Sequence, residues 1–191
     1  MDFQFDSLKT TQAAAILLTL EGRVMDRMRL LKLLYIIDRE FLVERGRTLT
    51  GDKAVAMNYG PVLSHTYNLL SGKEHSPEDW DNHIRSVSKK VVLMGDPGRG
   101  ELSTREVDKL NDVSERFRKI STAGLSAYTH EFPEWIKNFI PDTSRPIPWT
   151  DALISTCNTD RIKVYVERHE EQNLIDSLLA NPAEAEVDAG A

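Results

Sequence analysis

The side chains of this chain with the widest chemical reach are five histidines and one cysteine. A metal centre needs such residues at ligand spacing, and no CxxC, HxH or HExxH pattern occurs. His130 and Glu134 are four residues apart, which would put both on one helical face, but Pro133 falls between them and interrupts the helix that this geometry requires. Cys157 and His169 could act as nucleophile and base only if the fold brought them together. Ser64 and His65 are adjacent, so they diverge on a helix. Gly72-Lys73 lacks the upstream glycine of a phosphate loop, and neither GxGxxG nor GxSxG is present. Glu170 and Glu171 belong to a solvated face, and His169 reads as a rim residue with a backbone or carboxylate partner. No catalytic residue, metal or cofactor is expected.

Ions set into an apolar helix are more informative. Leu30 to Ile37 is the most apolar stretch of the chain, yet Lys32 interrupts it and Asp38 and Arg39 follow directly. An ion buried without a partner costs more than the net stability of a whole domain, so each must be matched. On a helix Tyr35 neighbours Asp38 and Arg39, while Lys32 and Arg39, seven apart, share a face. Lys32, Tyr35, Asp38 and Arg39 are therefore expected to form one hydrogen-bonded cluster at an edge of the core. Such a cluster can simply fix the fold, or it can form part of a groove for a partner together with the elbow Tyr59-Gly60-Pro61-Val62.

Helices with legible ends position these residues. An Ala-rich run from Gln12 to Leu20 is closed by Gly22; a helix capped by Asp26 continues through Arg45, with Gly46 as its left-handed terminator. After a turn over 48–52, the alternation of Val55, Met57 and Tyr59 indicates a short strand. Gly60-Pro61 should open the next helix, which ends at Gly72, with Tyr59 as the packing hinge. Ser76-Pro77-Glu78-Asp79 starts a helix toward Trp80, and 84–102 reads as a hairpin turning at Gly95-Asp96-Pro97-Gly98. Ser103-Thr104-Arg105-Glu106 is a capping box, opening a helix with the stripe Val107, Leu110, Val113, Phe117 and Ile120. A shorter helix spans 123–131, and a proline-broken loop then carries Trp135 and Trp149. The last helix, about 159–179, presents Ile162, Tyr165, Val166 and His169 on one face, and two of the three tryptophans are expected in the core. The expected fold is mainly α: a single compact helical domain over 1–180 with a short strand and a β-hairpin, then a disordered acidic, Ala-rich tail over 181–191.

The chain has 191 residues, 40% hydrophobic and 28% charged, which is enough for one full core. Its net charge of −6 argues against a protein that coats nucleic acid, although Arg23, Arg27 and Arg29 form a small basic patch. The apolar stretch is too short to cross a bilayer, the start MDFQFDSLK has no apolar signal segment, and a single cysteine fits a reducing compartment; the expected location is cytoplasmic.

Taken together, Lys32-Leu33-Leu34-Tyr35-Ile36-Ile37-Asp38-Arg39, Gly46-Arg47, Thr50-Gly51-Asp52 and Tyr59-Gly60-Pro61-Val62 resemble the signature of the SocA-like antitoxin domain, also called the Panacea domain, which phage-associated GepA-type proteins share. The stretch from Leu125 to Trp135, in which His130 is followed shortly by Trp135, is similar to the family's second block, and the resemblance spans about 8–155. It implies a mainly helical domain that neutralises a cognate toxin by direct protein–protein binding. It also implies an alternative, an adaptor that delivers the toxin to the ClpXP protease. A DNA-binding autoregulator of its own operon is a third expectation, resting on the arginine patch.

Overall fold

A computed structural model of the chain describes residues 1–180. The sequence expectation for the tail, 181–191, lies outside them. The described residues fold as α1 (Ser7–Leu20), β1 (Val24–Asp26), α2 (Arg27–Arg45), β2 (Ala54–Met57), β3 (Gly60–Leu63), α3 (Ser64–Ser71), α4 (Glu78–His83), β4 (Ile84–Val87), β5 (Lys90–Leu93), α5 (Thr104–Phe117), α6 (Thr122–His130), α7 (Pro133–Asn138), β6 (Arg145–Ile147), α8 (Trp149–Ile154) and α9 (Thr159–Ala180). The fold is mainly α.

α2 is the axis around which the rest is laid. From Arg29 to Asp38 every residue is buried, as expected of a helix that is apolar on all sides. α1, α5, α6, α8 and β3 pack around it. Nothing between Arg27 and Arg45 is glycine or proline, so the helix runs unbroken until Gly46, whose φ of 76° closes it with an N–H bond to the Leu42 carbonyl at 2.8 Å. That position must be glycine twice over, since a Cβ there would lie 2.5 Å from the Tyr165 ring of α9. Asp26 stands at the N-cap but makes no side-chain cap bond; its carboxylate instead takes the Thr122 hydroxyl at 3.0 Å and pairs with Lys90.

The β content exceeds the expected strand and hairpin. Two three-stranded antiparallel sheets form, ordered β1-β5-β4 and β3-β2-β6. Gly60-Pro61 does not open a helix. It begins β3, paired with β2 in the register Ala56↔Pro61 and Met57↔Gly60, which leaves Asn58-Tyr59 as a tight two-residue turn. The reason is local: Gly60 sits at φ +94°, outside the helical basin, and the helix starts only at Ser64. The second hairpin turns at Ser88-Lys89, between β4 and β5, and not at 95–98, because Val91 and Leu93 must pair back on Ser86 and Ile84 to bury their side chains.

Other boundaries moved for equally local reasons. α1 begins at Ser7, capped by Asp6 on the Lys9 N–H at 2.9 Å, five residues before the expected start. The capping box at Ser103 and Glu106 is formed with both of its bonds, but α5 stops at Phe117 and Ile120 is exposed. The proline-broken loop is mostly regular: Pro133 occupies the first turn of α7, Pro146 lies in the edge strand β6, and Pro148 precedes α8. Trp80, Trp135 and Trp149 are all buried.

Candidate functional site

The ions of α2 do not form one cluster. Tyr35 and Arg39 reach Glu134, Asp38 reaches the 48–52 turn, and Lys32 reaches the β2–β3 hairpin. The Tyr35 hydroxyl donates to Glu134 Oε1 at 3.1 Å, and Arg39 grips the same carboxylate through Nε at 2.5 Å and Nη2 at 3.3 Å. Arg39 also lies over the Phe132 ring at 4.3 Å. Glu134 is wholly buried, so α7 is clamped to α2 by a desolvated pair of the kind whose half-removal is strongly destabilising. Burial, and then the Glu134 charge, push the Tyr35 hydroxyl well above its usual range, so it stays a donor.

Asp38 holds the 48–52 turn. It accepts the N–H groups of Leu49 and Thr50 at 2.8 and 2.9 Å and a short bond from the Thr50 hydroxyl. Burial pushes its pKa up to about 7 against those donors. Asp52 then supplies the cap that α3 lacks at its own N-terminus, accepting His65 N–H at 2.9 Å and Thr66 N–H and hydroxyl at 2.8 Å, while its carbonyl takes the Trp149 indole N–H at 3.0 Å. The polar positions at 38 and 50–52 thus tie four elements together.

Lys32 reaches the β2–β3 hairpin. Its Nζ donates to the Pro61 carbonyl at 2.7 Å in a pocket dry enough to bring its pKa down to about 7. A Cβ on Gly60 would lie 2.8 Å from Lys32 Nζ, 2.8 Å from Thr129 Oγ1 and 2.9 Å from the His130 ring, so only glycine lets this strand pass. His130 stacks on Trp135 with centroids 4.3 Å apart and planes at 5°, and Trp135 donates from its indole to the Met57 carbonyl at 3.1 Å. Among the described residues the buried His130 Nε2 has no hydrogen-bond partner; desolvation, then the neighbouring Lys32, hold its pKa below the usual value, which favours the neutral ring.

These contacts immobilise one surface feature. The Tyr59 carbonyl accepts the Ser126 hydroxyl at 2.8 Å, and Asn58 and Asp142 exchange two bonds of 2.8 Å. The turn is therefore fastened to α6 on one side and to the 140–143 loop on the other. Its Tyr59 side chain is not a packing hinge; it is 69% exposed. Ile136 on α7 and Ile140 in the 140–143 loop are exposed as well. Of the ten site residues expected from sequence, Lys32, Tyr35, Asp38, Gly60, Pro61, Val62 and Trp135 are buried, Arg39 and His130 are half-buried, and Tyr59 alone stands well out of the surface.

Glu134, Ser126, Thr129 and Thr50 were missed as site residues. Glu134 had one usable signal, since a carboxylate was owed to Arg39 and Tyr35, but its separation of 95 residues from Arg39 hid the match. The arginine patch is not free: Arg29 pairs with Glu21 at 2.6 Å, Arg27 donates to the Leu70 carbonyl at 3.1 Å and Arg23 to the Leu93 carbonyl at 3.2 Å. His169 accepts the Asp2 N–H at 3.2 Å, the rim role expected of it, while half-buried Cys157 lies against the Val43 carbonyl. Among the described residues no helix is long and apolar enough to cross a membrane.

Comparison with known families places this frame. No curated protein and no solved structure matches the chain. The model of the family described as "Antitoxin SocA-like, Panacea domain" matches residues 30–136, just over half of the sequence, from Leu30 in the buried run of α2 to Ile136 of α7. The chain belongs to the SocA-like antitoxin, Panacea domain family.

Proposed function

We propose that the protein is an antitoxin that neutralises a toxin protein in the cytoplasm by direct binding, using the Tyr59 turn and the Ile136–Ile140 flank as contact surface and performing no chemistry of its own. The observation that carries this reading is where the signature residues spend their polar groups. Lys32, Asp38, Arg39, Asp52 and Glu134 are each hydrogen-bonded inside the fold, and the β2–β3 hairpin that Lys32, Trp135, Ser126 and Asp142 fasten ends in an exposed aromatic ring. Tyrosine on a preordered turn is an efficient anchor, because it contributes large amphipathic area at little conformational cost. The net charge of −6 favours encounter with a basic partner.

The operon-repressor reading keeps less of its basis, since Arg29 is neutralised by Glu21 while Arg27 and Arg23 each donate to a backbone carbonyl and retain their charge. The protease-adaptor reading rests on the SocA resemblance together with the 181–191 tail, and the tail lies outside the described residues. Co-expression with the product of the neighbouring gene tests the proposal: growth should recover from the arrest caused by that product alone. Arrest that persists in the presence of this protein would rule direct neutralisation out.

A further inference from the structure

α9 changes sides along its length. Up to His169 its apolar face looks inward: Tyr165 is buried, Ile162, Val166 and His169 are half-buried, and the Tyr165 hydroxyl donates to the Val43 carbonyl at 3.2 Å. Past His169 every residue through Leu179 is exposed. At about 100° per residue, Leu174, Ile175 and Leu178 fall with Val164 on the opposite, outward side of the helix, and all four are exposed large hydrophobics. The inward side of this half carries Gln172, Asn173 and Asp176, which overhang an open cleft of about 670 Å³ walled by the N-terminal arm and the 45–53 turn. The body therefore offers the apolar residues of this half no core to enter.

Glu167 and Glu171 sit at the centre of the outward stripe among Val164, Leu174, Ile175 and Leu178, while the cations Lys163 and Arg168 lie at its two borders. Whatever covers the stripe covers these carboxylates too, and must bring cations to match them. A second copy apposed antiparallel about Glu171 would set Glu171 against Glu171. The chain's own 181–191 segment offers Glu184, Glu186 and Asp188, the wrong sign. We propose that the outward face of α9, from Val164 to Leu178, docks into an apolar groove of the toxin that carries lysine or arginine along its floor or rim, in the helix-in-groove manner. This inference rests on the antitoxin reading and extends it to a second contact surface. That surface lies beyond the 30–136 family region and is chemically distinct from the Tyr59 turn.

The test uses the full chain and the product of the neighbouring gene, purified together and titrated. Leu174→Asp/Leu178→Asp and, separately, Glu167→Lys/Glu171→Lys should leave the circular dichroism and melting temperature unchanged, because all four positions are solvent-exposed. Each pair should weaken the complex at least tenfold and reduce growth rescue. If wild type binds and rescues while both variants do so equally well, the docking inference falls and the antitoxin reading stands. If wild type neither binds nor rescues, both fall together. A homodimer seen by light scattering and dissolved by the leucine pair would assign the stripe to a second copy and overturn the inference.

Discussion

Glu134 decides whether the charges of α2 are tolerable inside the core. It satisfies Arg39 and Tyr35 at once, so its loss strands a mostly buried guanidinium. Glu134→Ala should destabilise by about 3–5 kcal/mol, read from urea unfolding, whereas a change under about 1 kcal/mol would mean that Arg39 finds water. Lys32 gives a pH signature of definite sign. Burial lowers its folded pKa to about 7 from 10.5, so between those values the unfolded chain holds a proton that the folded chain has shed. Stability should rise from pH 7 to 10 and be insensitive to this group below 7, and Lys32→Met should flatten that rise. The opposing contribution of Asp38, raised to about 7 from 3.8 by burial, acts in the separate window below 7, where stability falls as pH increases. Urea midpoints at four pH values decide the matter; equal slopes for wild type and Lys32→Met above pH 7 would remove Lys32 as the cause.

At the scale of elements, Gly60 and the capping box differ in how far local sequence reveals them. Ser103 and Glu106 were legible because every atom of the capping box lies within one turn. Ser103→Ala should cost about 1 kcal/mol, measured by thermal unfolding. Gly60-Pro61 was misread as a helix start because the pattern also suits one, and the need for glycine at residue 60 comes from Lys32, Thr129 and His130, all remote in sequence. Gly60→Ala should cost more than Gly72→Ala: both have positive φ, worth about 1–2 kcal/mol, but Gly72 has open space around it where Gly60 meets Lys32 Nζ and the Thr129 hydroxyl. Equal losses at the two sites would show that the pocket relaxes freely. The strand β6 escaped prediction for a similar reason, since its Pro146 is tolerated only through pairing with the remote strand β2.

For the whole molecule, the helical frame was readable because apolar periodicity and caps are local, and the residues of the buried signature were readable as a set. Their partners were not. Hydrogen bonds spanning 29, 95 and 99 residues fix Lys32, Arg39 and Tyr35, and no spacing rule reaches that far. Of the two expected roles, the burial of the Gly60–Val62 elbow and of Lys32 fits a cluster that fixes the fold, and Tyr59 is the one expected site residue left well exposed. Titration calorimetry with the neighbouring gene's product is the most direct check. Wild type should form a tight complex, and Tyr59→Ala should lose at least about 2 kcal/mol of binding, roughly 30-fold, with no change in melting temperature. Unchanged affinity for Tyr59→Ala, or growth rescue without any complex, would contradict a protein that works by gripping its partner at this turn.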